Sequence, residues 1–280
     1  MLEALEHPAS RLIRVDGIDL HYLDVGSGTP LLLVHGLGHS AVSWHRNLDA
    51  LSSKFRVLAL DLPGYGLSAC PPDAAYDPPF FASIVASFLQ QLGVEDVNAV
   101  GCSAGGLAVL LAALEHPSLF RRIVLVDSVG FTPAPGNLWG DALLNTVGLW
   151  LSLPRARPLI KFWYGVGFYD AAAIDEETVS EIYARRVHSA SMRAARRALT
   201  EFFNFSRNLQ PLHDRLPELE TPVLVIWGKN DRMFPAKHTQ VAKRLLPTTR
   251  IEWLDRCGHC PQLEQPAAFN SLVLDFLKAS

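Results

Sequence analysis

Three side chains of the types that carry out nucleophilic acyl transfer stand in turn-rich segments of this 280-residue chain: Ser103, Asp231 and His259. A serine hydroxyl is a weak nucleophile until a base takes its proton, and an imidazole does so best when a carboxylate holds its tautomer and orientation. Ser103 lies in Gly101-Cys102-Ser103-Ala104-Gly105, between an apolar run at 94–100 and a second at 107–114. That context predicts strand, tight turn and helix, with the serine projecting from the top of a sheet and glycines leaving room for the following helix. Asp231 lies in Trp227-Gly228-Lys229-Asn230-Asp231-Arg232-Met233-Phe234-Pro235, and His259 in Asp255-Arg256-Cys257-Gly258-His259-Cys260-Pro261, each just past an apolar run. Asp231 can orient His259, and His259 can take the proton from Ser103. His35-Gly36-Leu37-Gly38 follows the run at 31–34. The backbone N–H groups of Leu37 and Ala104 are the expected donors to a developing oxyanion, and His35 reads as a side chain that stabilises the turn.

The elements that must position these groups follow from periodicity. Residues 12–15 and 18–25 predict a hairpin around Asp16-Gly17. Short apolar runs at 31–34, 55–60, 97–101, 123–126, 223–227 and 251–254 suit strands buried on both faces, with helical segments at 42–51, 80–92, 107–114, 237–245 and 267–278. Strands alternating with helices predict an α/β fold with a mostly parallel central sheet and helices on both faces. The alternation breaks at 131–216, where aromatics and proline-punctuated helical stretches predict an inserted helical cap above the carboxyl ends of the strands, the edge where ligands bind. Residues 1–130 and 217–280 then form the core. Phe131, Trp139 and Trp163 are candidates to line a pocket under the cap, most cap aromatics serving packing. Arg185, Arg186, Arg193, Arg196 and Arg197 share one face of an expected helix, with Val187, Ala190, Ala194 and Ala198 opposite, and read as a solvated face.

Composition narrows the function classes. The chain is 49% hydrophobic and 19% charged with a net charge of −3, so no bulk electrostatic attraction to nucleic acid is expected. Residues 1–8 carry acidic groups where a signal peptide needs positive charge, and no run of about 18 apolar residues occurs. A cytoplasmic protein without stable membrane insertion is expected, with 147–153 as a buried cap helix. Cys257-Gly258-His259-Cys260 matches a redox tetrapeptide. Too little chain follows it for a thioredoxin-like domain, Arg256 precedes it and Pro261 follows. No second ligand pair suits a metal. Cys102 reads as a small core residue facing away from the site.

These motifs, with Asp61-Leu62-Pro63-Gly64-Tyr65-Gly66-Leu67-Ser68, resemble the α/β-hydrolase superfamily across essentially the whole chain. The resemblance implies the α/β-hydrolase fold, the triad order Ser103, Asp231, His259, and catalysis without metal or organic cofactor. A serine at the elbow argues against haloalkane dehalogenases and epoxide hydrolases of this fold, which use aspartate there. The leading expectation is a carboxylesterase acting on a small-molecule ester through an acyl-enzyme, as a monomer or homodimer. The alternative is a carbon–carbon bond hydrolase of vinylogous diketones from meta ring fission, with Arg185 or Arg193 gripping a dienoate carboxylate. Such enzymes usually carry tryptophan after the histidine and a glycine-richer oxyanion loop, where this chain has Cys260 and Leu37-Gly38. Asp127, which also ends a strand, competes with Asp231 for the role of triad acid. A non-catalytic small-molecule receptor is the reading from another class, and the presence of all three triad residues argues against it.

Overall fold

One eight-stranded sheet runs through the computed structural model, which describes residues 8–133, 161–162, 165–176, 178–180, 183 and 189–278. The strands are β1 (Ser10–Val15), β2 (Ile18–Val25), β3 (Pro30–Val34), β4 (Arg56–Leu60), β5 (Val97–Cys102), β6 (Phe120–Val126), β7 (Val223–Gly228) and β8 (Arg250–Leu254). Their order is β1-β2-β4-β3-β5-β6-β7-β8, with β1/β2 and β2/β4 antiparallel and every later pair parallel. Leu31, Leu32, Leu33 and Val34 are fully buried, as a strand covered on both faces requires.

Helices α2 (Pro78–Gln91) and α3 (Ala104–Glu115) belong to the larger apolar layer, which holds Phe81, Phe88, Leu107 and Leu110. On the other face Trp44, Leu51, Phe269 and Val273 pack with Leu31, Leu33, Val124 and Ile226, bringing in α1 (Leu48–Ser52) and α8 (Pro266–Lys278). α6 (His238–Leu245) and α7 (Pro261–Glu264) flank β8 in sequence. α2 starts two residues before the apolar periodicity does, because Asp77 caps it by accepting from the Phe80 N–H at 2.8 Å and its first two residues are prolines.

The single helix expected at 42–51 is a correction: a 3-10 turn, Ala41–Trp44, is followed by the short α1. Asn47, fully buried between them, donates from Nδ2 to the Gln262 carbonyl (3.1 Å) and to Asn270 Oδ1 (2.8 Å). His45 and Arg46 at the same break hold Asp175, whose Oδ2 accepts from His45 Nε2 (2.8 Å), Arg46 Nε (3.1 Å) and an Arg46 terminal nitrogen (2.8 Å). Distant polar partners thus outweigh local helical periodicity.

Between β6 and β7 the described residues include a 3-10 turn at Ala171–Ala173, α4 (Ser189–Ser206) and α5 (Gln210–Arg215), and no strand. On α4, Ala194, Ala198 and Phe202 are buried while Arg193, Arg196 and Arg197 are exposed, which is the split their spacing predicts. Arg185, Arg186, Val187 and the stretch 147–153 lie outside the described residues. Among the described residues no helix is long and apolar enough to cross a membrane.

Candidate active site

Ser103 sits between β5 and α3 with φ 52° and ψ −118°, a left-handed conformation that costs a non-glycine residue about 1–3 kcal/mol. Its N–H is tied to the Val126 carbonyl at 2.9 Å, which secures the turn against the neighbouring strand. A methyl group on Gly101 would lie 2.6 Å from both the Gly105 carbonyl oxygen and the Gly106 Cα, so only glycine lets α3 fold back so closely. Cys102 points inward as expected. It is 3% exposed, Gln262 Nε2 lies 3.6 Å from its sulfur, and burial pushes its thiol up.

The loop after β3 backs onto the nucleophile: a methyl on Gly36 would lie 3.0 Å from Ser103 Cβ and 3.7 Å from its Oγ. Among the described residues, no protein group accepts from the backbone N–H of Leu37 or of Ala104, the first residue of α3. Both amides are therefore available to an oxyanion, and the second adds the positive end of a helix dipole. His35 holds the turn. Its Nδ1 donates to the Gly36 carbonyl (2.8 Å), its Nε2 accepts from the Leu62 N–H (3.1 Å), and burial pushes its pKa down.

Asp231 and His259 come together from the loops after β7 and β8. His259 Nδ1 donates to Asp231 Oδ2 at 2.7 Å, and Asp231 Oδ1 accepts from the Met233 (2.7 Å) and Phe234 (2.9 Å) N–H groups. Burial alone would raise the Asp231 carboxyl, but the His259 charge and hydrogen bond, with the Phe234 N–H, outweigh it and hold the group below its ordinary value. The Phe234 ring lies 5.4 Å from the imidazole, centre to centre.

Asp127, the competing acid, is fully buried at the end of β6 with φ 41°. Its carboxyl oxygens accept from the Gly228 N–H at 3.1 and 3.4 Å, while the 2.7 Å bond to His259 belongs to Asp231. Burial and the neighbouring Asp231 charge push its pKa well above the carboxylate range. One donor atom each from Asp127, Asp231 and His259 lies within 4.8 Å of the others, the one such His, Cys, Asp or Glu group among the described residues. Hydrogen bonds already engage the oxygens and the nitrogen that an ion would need.

Two residues near the site carry no motif signal. Glu264 accepts at Oε1 from the Gly258 (2.9 Å) and Cys260 (3.3 Å) N–H groups, on either side of His259, and at Oε2 from the Tyr169 N–H (2.7 Å). The His259 N–H in turn donates to the Gly167 carbonyl at 2.7 Å. His39 stands one residue past the loop motif, and burial beside His35 and His259 pushes its pKa down to about 3, so it is neutral near pH 7.

Of the pocket candidates, Phe131 is 1% exposed and packs with Phe202, Leu209 and Leu212. It also lines a cleft of about 410 Å³ with Arg207, His213 and Arg244, to which Ser103, Asp231 and His259 contribute nothing. Trp139 and Trp163 lie outside the described residues. Cys257 and Cys260 are buried free thiols pushed up by burial, the opposite of a reactive thiolate.

A model of the alpha/beta hydrolase fold family matches residues 29–266. The chain is 32% identical to the 2-hydroxy-6-oxononadienedioate/2-hydroxy-6-oxononatrienedioate hydrolase of Burkholderia vietnamiensis, over 98% of its own length and 97% of the relative's. It is 29% identical to the 2-hydroxymuconate semialdehyde hydrolase of a Pseudomonas species, over 95% and 93% of the two chains. A solved mutant of the meta-cleavage product hydrolase of Pseudomonas fluorescens, complexed with acetates, matches with a TM-score of 0.84 at 25% identity, covering 95% of this chain and 97% of that one. These relatives overturn the carboxylesterase expectation. A serine, a histidine relay and two amides serve ester and carbon–carbon cleavage alike, so the motifs alone did not separate the two. With its eight-stranded sheet, its serine elbow and this match over most of its length, the chain is a hydrolase that belongs to the alpha/beta hydrolase fold family.

Proposed function

We propose that this protein hydrolyses the carbon–carbon bond beside the keto carbonyl of 2-hydroxy-6-oxo-dienoates, the vinylogous diketones formed by meta fission of an aromatic ring. The observation that carries the reading is the near full-length similarity to hydrolases named for such substrates. The site geometry is compatible with it. Once the dienol has tautomerised, the carbon to be released is saturated, and the conjugated system beyond it ends in a carbonyl that can receive electrons.

In this reading Ser103 attacks the keto carbonyl, His259 takes the serine proton, and Asp231 keeps the imidazole oriented. The Leu37 and Ala104 amides hold the oxyanion. When the tetrahedral adduct collapses, the carbon–carbon bonding pair passes through the double bond onto the distal carbonyl oxygen. His259 returns its proton to that dienolate, and water on the Ser103 ester, activated by the same imidazole, releases the carboxylic acid. Residues 131–216 act as a cap over this centre; Arg193 is exposed on α4 and does not take the role of gripping the dienoate carboxylate, and Arg185 lies outside the described residues.

The test is decay of the dienoate chromophore with wild type and Ser103→Ala, using ring-fission products that carry hydrogen, methyl, phenyl or a carboxyalkyl chain at the keto carbon. Serine-dependent release of a hydroxydienoate and the matching acid is expected. Turnover of none of the four would overturn the reading.

A further inference from the structure

A buried carboxyl stands beside the relay and the mechanism above gives it nothing to do. Asp127 is fully buried, sits at φ 41°, and extends the parallel pairing of β6 with β7 through its N–H to the Ile226 carbonyl at 3.0 Å. One of its carboxyl oxygens lies within 4.8 Å of a carboxyl oxygen of Asp231. The other ionisable groups around it are His259 and Cys257 from the loop after β8, Cys102 at the end of β5, and Cys260 and Glu264 at α7. The thiols are uncharged, Glu264 is anionic or neutral, and so the imidazole is the one group here able to carry positive charge. Two adjacent carboxylates sharing at most one cation in a site closed to water do not both ionise.

The acceptor count around Asp231 says which carboxyl keeps the proton. An ionised carboxylate offers about four lone-pair sites. Asp231 fills three of them, with the Met233 and Phe234 N–H groups and His259 Nδ1. Asp127 has a single N–H donor, that of Gly228. The anion belongs where the donors are, and the proton belongs on Asp127.

We propose that Asp127 is a positioning residue that acts as a neutral carboxylic acid, accepting from the Gly228 N–H with one oxygen and donating its proton to Asp231 with the other. The donation fills the fourth acceptor site of Asp231 and locks the rotamer on which His259 hangs. Neutrality matters as much. A second negative charge here would over-stabilise the imidazolium and keep the base protonated at working pH, whereas a neutral donor spreads the Asp231 charge. The inference rests on the Ser103, His259 and Asp231 relay proposed above and is independent of the substrate.

Two variants read it out. Asparagine reproduces a protonated aspartate in shape, its carbonyl accepting from Gly228 and its NH₂ donating to Asp231. Alanine removes the donor. The readout is the pH dependence of Ser103 labelling by a fluorophosphonate, whose acid limb reports His259 in the free enzyme. With Asp127→Ala, Asp231 loses a donor, pulls harder on the imidazolium, and the limb moves up by roughly half a pH unit or more. Asp127→Asn restores the limb to its wild-type position. If Asp127 were an anion, both variants would delete a negative charge beside His259 and both limbs would move down, which overturns the proposal. Limbs that stay put in both variants overturn it too, leaving Asp127 a purely structural residue.

Should the alanine variant fail to fold, infrared spectroscopy decides. Wild type near pH 7 is expected to show the carbonyl stretch of a protonated carboxyl that shifts in D₂O and is missing from Asp127→Asn; no such band overturns the proposal. Wild-type Ser103 that labels at no pH would overturn the relay instead, while the infrared band still reports on Asp127.

Discussion

Ser103 pays for its exposure with a left-handed backbone that a serine seldom adopts. Its removal is therefore expected to separate activity from stability. Ser103→Ala should lower turnover of the accepted substrate by several powers of ten, leaving what binding and the oxyanion amides supply. Ser103→Gly should be as inactive, yet unfold at or above the temperature of Ser103→Ala, because strain relief of about 1–3 kcal/mol exceeds glycine's extra unfolded-state entropy. A glycine variant that melts several degrees below the alanine variant would show that the turn is not strained. Asp231→Asn should cost orders of magnitude in turnover, since an amide at Oδ2 presents His259 with the wrong tautomer. At this scale the sequence displayed Ser103, Asp231 and His259 through their turn motifs. It hid Glu264, His39 and the company Asp127 keeps, because a buried carboxylate that accepts backbone N–H groups, and a carboxyl facing a partner 104 positions away, leave no local pattern.

Elements hold these residues through close approaches and a few polar ties. Gly101→Ala should cost roughly 1–3 kcal/mol or more by denaturant unfolding, since its methyl group would meet the backbone of α3 rather than a yielding side chain. Asp175 ties the segment after β6 to the break before α1. Burial pushes its carboxyl up, yet the Thr178 N–H and hydroxyl, His45 and Arg46 together hold it well below the usual carboxylate range. Its folded pKa lies below its unfolded one, so the stabilisation is present above the unfolded value of about 4 and fades as pH falls through the folded value. Asp175→Asn should therefore lower Tm by about 2 °C at pH 7, from a loss of about 1 kcal/mol, and the gap should close as pH is taken below 4. A gap that persists in acid would trace the loss to packing. The eight strands were legible as runs of β-branched and aliphatic residues. The break at 45–47 was not, since Asn47 answers to Gln262 and Asn270, more than 200 residues away.

Across the whole molecule, two apolar layers enclose the sheet, one of them taking in Cys102 and Cys257, while Cys260 is buried in a third cluster with Phe168, Ile174 and Leu263. A thiol reagent should consequently titrate Cys70 alone in native protein and all four in guanidinium, with labelling of Ser103 unaffected by dithiothreitol. Fast native reaction of a second thiol would reopen Cys257-Gly258-His259-Cys260 as a redox pair. The architecture was legible at this scale because alternating strand and helix patterns admit few topologies. The reaction was not. The same nucleophile, relay and amides cleave either bond, and Cys260 and Leu37 stand where the carbon–carbon hydrolases usually differ. One contact reaches further than its 2.7 Å. The backbone of His259 hangs from Gly167, and Tyr169 is held by the glutamate that braces the same loop. Exchanging residues 131–216 for those of a relative to gain a new substrate would therefore also re-aim the general base. A chimera that keeps 165–169 native should preserve the chemistry, and one that does not should need compensating changes around 258–264 before it turns over anything.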